Sequence, residues 1–316
     1  METKFIMMVG LPGSGKSTLA KDIAEYEDAV ILSSDEIREE LNGDVNCQSN
    51  PGRIFEEMNK RTIANLKAGK TVIYDATNIS ARLRKSTVTN IKRACGTDIT
   101  YNCVIVLCSI TCCKQRQSLR DRVVPDSVIY RMAQNFQVPY FNEGWDNIYL
   151  SRNGSEQDIE REHARSVETS HDNPHHKHSI GYHCTRALIE MRALIEGTEY
   201  EEEHISKVLE EAAYQHDIGK RKTKVFTDRD GNPTDIAHFY QHDNVGAYLW
   251  LSGNEHDKWD ESDFLLIALL IQWHMIPYIV PGRNKAAVDK WAAKRGFDSN
   301  IADYIWLIHQ ADRAAH

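Results

Sequence analysis

Short apolar runs alternate with amphipathic stretches through the first half of the chain. The runs are Phe5–Val9 (FIMMV), Ala29–Leu32 (AVIL), Thr71–Tyr74 (TVIY) and Cys103–Leu107 (CVIVL). Each closes on a turn or polar residue before an amphipathic stretch begins, so residues 1–150 predict an α/β domain, a parallel sheet with helices on its faces. After Tyr149-Leu150 the chain turns polar and loses its apolar period, and residues 151–170 read as a linker or an exposed connecting helix. From 171 to 316 the pattern is helical, in ALIEMRALIEG, HISKVLEEAAYQHDIG, NVGAYLWLSG and DFLLIALLIQWHM. Gly197, Gly219 and Gly253 stand where C-terminal caps would, and no strand signal of similar strength appears, so this half is expected to be all-α. Phe264–Val280 is the strongest membrane candidate, but it is short and holds Gln272, His274 and Pro277; a buried core helix and no membrane contact are expected.

With 316 residues, 41% hydrophobic and 27% charged, the chain reads as two globular domains of ordinary size. A net charge of −8 and a pI near 6.0 supply no global positive field for nucleic acid, so a nucleic-acid enzyme would need a local basic groove. The N-terminus lacks a signal-peptide layout. Seven cysteines, an odd number without a C-x₂-C pair, suggest neither a zinc knuckle nor a disulfide framework; reduced thiols in a cytoplasm are expected.

Gly10-Leu11-Pro12-Gly13-Ser14-Gly15-Lys16-Ser17 matches G-x₄-G-K-[ST], directly after a strand and before a helix. Glycines let backbone N–H groups curl around phosphate oxygens, and the helix N-terminus adds partial positive charge. Gly10, Gly13, Ser14, Gly15, Lys16, Ser17 and Thr18 are therefore the candidate ATP (or other NTP) site. Lys16 can reach the β- and γ-phosphates, and Ser17 can ligate Mg²⁺.

Three further groups could complete a phosphotransfer site. Asp35, in SSDEIR after the second run, could accept the proton of an attacking hydroxyl while Arg38 holds a phosphate of the acceptor. Alternatively, Ser33 and Glu36 form a capping box and Asp35 only favours a helix start. Asp75, at the end of the third run, could hold Mg²⁺ or its water shell, or be a turn residue. Arg116 and Arg120, four apart, could close over a triphosphate or form a solvated face.

In this order, GLPGSGKS, SSDEIR, DATN and RQSLR with Val124-Pro125 resemble the P-loop polynucleotide 5′-hydroxyl kinases of the bacteriophage type, over about residues 5–140. The resemblance implies that Asp35 is the general base, Arg38 the acceptor-phosphate ligand and Arg120 the lid arginine. Arg82, Arg84, Lys85, Lys92 and Arg93 form the basic cluster downstream of DATN. It could be the groove the acidic total demands, or a solvated helix face.

In the second half, His183, His216-Asp217 and Asp312 each fall on a separate predicted helix, and His and Asp are the ligands expected where a metal activates water. Taken singly, a histidine on an apolar helix is more often a hydrogen-bonded core residue than a ligand. The set H…HD…D in helices resembles the HD-domain metal-dependent phosphohydrolases, over about 171–316, whose matching residues bind a first metal. Members with two more histidines hold a second metal, the doublet's Asp bridging both. His242 and His274 fit those positions, so two divalent metals (Mn, Fe, Co, Ni or Zn) are expected with Asp217 as the catalytic bridge. Lys220 could steady a phosphate oxygen, with His238 and the His175–His178 cluster in supporting or substrate-contacting roles.

A broken strand with a 5′-hydroxyl and a 3′-phosphate or 2′,3′-cyclic phosphate needs both activities. The chain therefore resembles end-healing fusions of a polynucleotide kinase and a phosphatase, acting on nucleic-acid ends, RNA favoured over DNA, with a separate ligase as a possible partner. Two alternatives stand beside it. One is a small-molecule or nucleoside kinase with an HD nucleotide phosphohydrolase. The other is a nucleotide-sensing regulator.

Overall fold

The structure, a computed structural model, describes residues 2–44, 51–96, 98–120, 123–174 and 178–316. The chain divides into two compact units, residues 1–132 with 139–155, and residues 133–138 with 156–316.

The elements up to residue 152 are β1 (Lys4–Val9), α1 (Lys16–Glu27), β2 (Val30–Ser33), α2 (Ser34–Asn42), α3 (Pro51–Lys67), β3 (Val72–Asp75), α4 (Ala81–Cys95), β4 (Thr100–Leu107), α5 (Ile110–Ser118), α6 (Asp126–Gln134) and β5 (Asn147–Arg152). Five parallel strands form one sheet in the order β2-β3-β1-β4-β5. The four apolar runs become β1 to β4, whose residues are mostly buried because helices cover the sheet. Strand β5, NIYLSR, has no such run. Among the described residues it pairs with β4 alone, Tyr149 is exposed and its other side chains are half-buried, and an edge position tolerates that polarity.

The register matters for chemistry. Ser33 pairs with Asp75, and Asp75 with Met8, so the C-terminal ends of β2, β3 and β1 finish in one row. The chain leaves β1 towards β2 and β3, then returns to β1's other side as β4. Ligands of such sheets bind beyond the strands' carboxyl ends, where the strand order reverses.

The second unit holds α7 (Ile159–Val167), α8 (Ile180–Ile195), α9 (Glu203–Gln215), α10 (Lys220–Thr223), β6 (Lys224–Thr227), β7 (Pro233–Phe239), α11 (His242–Leu251), α12 (Glu261–Trp273), α13 (Ile276–Ile279), α14 (Lys285–Arg295) and α15 (Ser299–Ala314). Helix α8 packs against α9 and α15, and α11 against α12. Trp250 stacks on Phe264 at 5.0 Å inside this bundle. Glu261–Ile279 is long and apolar enough to cross a membrane, yet 67% of it is buried within the protein.

Three expectations need correction. The second half is not all-α, because β6 and β7 pair as an antiparallel hairpin between Lys220 and His242. Of the two readings of residues 151–170, the helix holds and the linker does not: the first two residues end β5, and Asp158 caps α7 by accepting the Arg161 N–H at 2.9 Å. Helix α7 buries Ile159, Glu162, His163 and Ser166, and Arg221 neutralises the buried Glu162. Gly219 and Gly253 are not left-handed caps either. Gly219 has φ −73°, and a Cβ there would collide with the His242 carbonyl; one at Gly253 would lie 2.5 Å from Ile159 Cγ1. Both are glycine for want of space. Gly197 does follow α8 with φ 72°.

Candidate functional site

In the first unit, Gly10–Ser17 wraps over the end of β1. The Gly10 N–H donates to Thr77 O at 3.0 Å, and Asn78 Nδ2 donates to Met8 O at 2.7 Å, so the DATN stretch fastens the loop's base. Gly13 and Gly15 have φ of 84° and 98°, and a Cβ on either would strike Cys113 O or Asn153 Nδ2.

Lys16 is buried and donates to Leu11 O at 2.8 Å. Burial pushes its pKa down, against the pull of Asp75. Asp75 is 6% exposed; burial pushes its carboxyl up, opposed by the Ser17 hydrogen bond and by Lys16. Ser17 and Asp75 thus form the oxygen pair that could hold Mg²⁺ or its water shell. Thr18 donates its backbone N–H to Gly15 O at 3.1 Å, in the first turn of α1.

A cleft of about 470 Å³ opens over this loop, lined by Lys16, Ser17, Asp35, Arg38, Asp75 and Arg120 among others. Asp35 and Arg38 form an ion pair of 2.5 Å on α2, the carboxylate 58% exposed. Ser33 caps α2 by position only, with no side-chain hydrogen bond, so the capping box does not form. Arg116 and Arg120 part company: α5 ends at Ser118, before Arg120, and the two share no helical face. Arg120 lines the cleft. Arg116 braces the loop from outside it, donating to Asn153 O at 3.0 Å and to Gly13 O and Ser14 O at 3.4 Å. The basic cluster also splits. Arg84 is buried and makes a bidentate pair with Glu143, at 2.6 and 2.7 Å, so it serves the core of this unit.

In the second unit, His183 (α8), His216-Asp217 (end of α9), His242 (start of α11), His274 (end of α12) and Asp312 (α15) converge, all buried. Asp217 divides its carboxylate. Oδ2 lies 3.3 Å from His216 Nε2 and 3.6 Å from His183 Nε2, while Oδ1 lies 3.2 Å from His242 Nε2 and 3.7 Å from His274 Nε2. Asp312 Oδ1 joins the first group, 2.9 Å from His183 Nε2 and 3.5 Å from His216 Nε2.

The backbone settles how the imidazoles face. His216, His242 and His274 each donate Nδ1–H to the carbonyl three residues earlier, Ala213, Phe239 and Ile271, at 2.7, 2.9 and 2.7 Å. With Nδ1 engaged in this way, each ring turns its Nε2 inward. His242 and His274 then face each other through Nε2 at 3.2 Å, so at least one of the two nitrogens is a buried acceptor. Such buried acceptors are costly unless a cation meets them. His216 and His274 also follow helix C-termini, where positive charge is favoured.

Burial opposes ionisation of Asp217, yet Lys220 and His216 hold it well below the carboxylate range. Burial likewise opposes protonation of His216, while Asp217 and Asp312 raise its pKa well above the imidazole range. His274 is pushed down to about 3, by burial and then by His242 and His216. The two groups fit a pair of divalent cations sharing Asp217.

Lys220 Nζ lies 2.6 Å from Asp217 Oδ2 and 3.5 Å from His171 Nε2. His171, Tyr278 and His316 join the site without any signal in the sequence. His171 is buried beside Lys220, and Tyr278 donates to Asp312 Oδ2 at 2.7 Å. His238 stacks on Tyr240 at 5.4 Å and is in neither ligand group. Of the 175–178 cluster, His178 lies tilted against Tyr182, ring centroids 4.7 Å apart; His175 and His176 lie outside the described residues.

The first unit is thus an α/β P-loop domain of the kinase-like type. A family model described as an AAA domain matches residues 5–139. Solved structures similar to the chain include the Pnkp1/Rnl/Hen1 RNA repair complex, at 26% identity over 42% of this chain and 43% of that chain, with a TM-score of 0.37. They also include the Mycobacterium tuberculosis APS kinase CysC in complex with AMPPNP and APS, at 19% identity over 47% of this chain and 88% of that chain, TM-score 0.35. A gluconokinase from Sinorhizobium meliloti 1021 matches at 14% identity over 48% of this chain and 83% of its own, TM-score 0.35.

Proposed function

We propose that the chain heals nucleic-acid ends. In this reading the first unit transfers the γ-phosphoryl group of ATP to a 5′-hydroxyl, and the second hydrolyses a 3′-phosphate or 2′,3′-cyclic phosphate, on RNA in preference to DNA. The observation that carries it is the division of Asp217's two oxygens between two histidine groups, on a chain that also holds a phosphate-cradling cleft with Asp35 and Arg38. Few substrates call for phosphate addition and phosphate removal at once; a broken strand does.

In the first unit, Asp35 takes the proton of the attacking hydroxyl and Arg38 holds the acceptor's phosphate. Lys16 and Arg120 neutralise charge on the transferring group, with Ser17 and Asp75 holding Mg²⁺. In the second, His183, His216, Asp217 and Asp312 hold one divalent metal, and Asp217, His242 and His274 the other. Bound there, the pair supplies a hydroxide nucleophile and neutralises phosphate charge. Lys220 orients Asp217 and steadies a phosphate oxygen. A separate ligase would then join the ends.

One observation favours a second reading. With Arg84 committed to Glu143, the surface of α4 loses one of its five cations, which weakens the case for a strand-binding groove there and suits a small hydroxyl acceptor.

Two assays on one purified protein separate the readings: label transfer from radiolabelled ATP, and phosphate release with Mn²⁺. The substrates are a 5′-hydroxyl oligoribonucleotide ending in a 2′,3′-cyclic phosphate and a DNA counterpart with a 3′-phosphate. Label at the 5′ end with clearance of the 3′ end supports end healing. Reaction of mononucleosides or nucleotides alone overturns it.

A further inference from the structure

His316 follows α15 and stands at the edge of the first ligand group. The backbone stays helical up to it: the Ala315 N–H donates to Ala311 O and Asp312 O at 3.1 and 3.2 Å, and Ala315 is fully buried. Four-residue spacing then sets His316 beside Asp312. Its ring stacks on His183, centroids 4.8 Å apart and planes 28° apart, and its Nε2 lies 3.7 Å from Asp312 Oδ1. Ligand atoms of His183, Asp312 and His316 all fall within 4.8 Å of one another.

Spacing tests what this could be. Ligands bonded at ~2.1 Å sit roughly 3.0 Å apart at right angles and roughly 3.4 Å apart in a tetrahedron. The inner four atoms, from His183, His216, Asp217 and Asp312, are separated by 2.9, 3.3, 3.5 and 3.6 Å along the pairs that link them. The 3.7 Å from His316 to Asp312 extends the same series. The difference is exposure. His183 and His216 are buried, whereas the His316 side chain is 34% exposed, so it occupies the solvent side, from which a phosphate would arrive.

We propose that His316 is a fifth ligand of the first metal position, held on its solvent side and displaced when a phosphate group binds. This rests on the two-metal reading above. A partly exposed ligand just beyond the end of α15 can swing away without disturbing the buried four. The resting metal is then kept from losing its place, while a coordination position opens only as substrate enters.

The test uses the full chain, stripped of metal and titrated with Co²⁺, followed by visible absorption and by stoichiometry after dialysis. Wild type is expected to take up two Co²⁺. The His316→Ala variant is expected to take up two as well, with one bound about tenfold more weakly and a changed visible band. Added imidazole should restore both affinity and band, which a merely structural histidine would not allow. Inorganic phosphate added to the wild type should shift its band towards that of phosphate-treated H316A. Equal affinities and spectra in wild type and variant overturn the inference while leaving the two-metal reading intact. No uptake of Co²⁺ by the wild type overturns both.

Discussion

Arg84 and Glu143 meet inside the first unit as a bidentate pair, their side chains 0% and 3% exposed. Trp145 Nε1 also donates to Glu143, at 3.0 Å. Removing one partner leaves a buried charge uncompensated, so Glu143→Ala is expected to cost about 3–5 kcal/mol in denaturant unfolding. A paired replacement by apolar residues of like volume should cost far less. A loss below about 1 kcal/mol for the single variant would mean that water reaches the guanidinium.

Lys16→Ala and Asp35→Ala should each stop phosphotransfer and spare metal-dependent hydrolysis. For Asp35, the proton acceptor of the proposed reaction and the ion-pair partner of Arg38, kcat is expected to fall by at least about 10²–10⁴-fold. Steady-state rates of both reactions, measured on the same sample, check this; a joint fall would tie the two activities together.

Asp217→Ala should empty both metal positions, because each of its oxygens serves a different histidine group. His274→Ala should empty only one. Elemental analysis after dialysis distinguishes them, and two metals retained by the aspartate variant would refute the bridge.

Gly219→Ala probes space alone. The backbone there, φ −73°, suits alanine, but the new methyl would press on His242 O and Gly246 N. A destabilisation of about 1–3 kcal/mol is expected, with loss of the metal at His242 ahead of the other. Wild-type melting and full metal content would show that α11 moves aside freely.

Acid should weaken the second unit through His163, which is 8% exposed and whose ring lies tilted against Tyr214, centroids 4.0 Å apart. Burial pushes its pKa down to about 4 from the usual 6.5. Between those values the unfolded chain binds a proton that the folded chain refuses, so stability falls as pH drops from 6.5 to about 4, by up to about 3 kcal/mol. His163→Phe should flatten that part of the stability profile; an unchanged slope would assign it to other groups.

What could be read from the sequence was what chemistry forces into a short stretch. The phosphate loop needs its glycines and Lys16 within eight residues, and a candidate ligand doublet is visible at His216-Asp217 because two ligand types seldom sit together in an apolar helix. Supports drawn from afar were hidden. Glu143 reaches Arg84 across 59 residues, and Tyr278 reaches Asp312 across 34. Strand β5 and the β6–β7 hairpin bury almost none of their side chains fully, so neither carries the apolar run or alternation that marks a strand. Gly219 looked like a cap, since the residue type is the same whether the need is for a positive φ or for room.

The six residues 133–138 belong with the second unit although residues 139–155 return to the first. Phe136 lies against Tyr248 at 5.0 Å, and Gln272 donates to Phe136 O and accepts from Val138 N–H. During synthesis Phe136 therefore leaves the ribosome 136 residues ahead of Gln272. A nascent chain that has just completed β5 carries Phe136 and Val138 still waiting for their partners in the second unit.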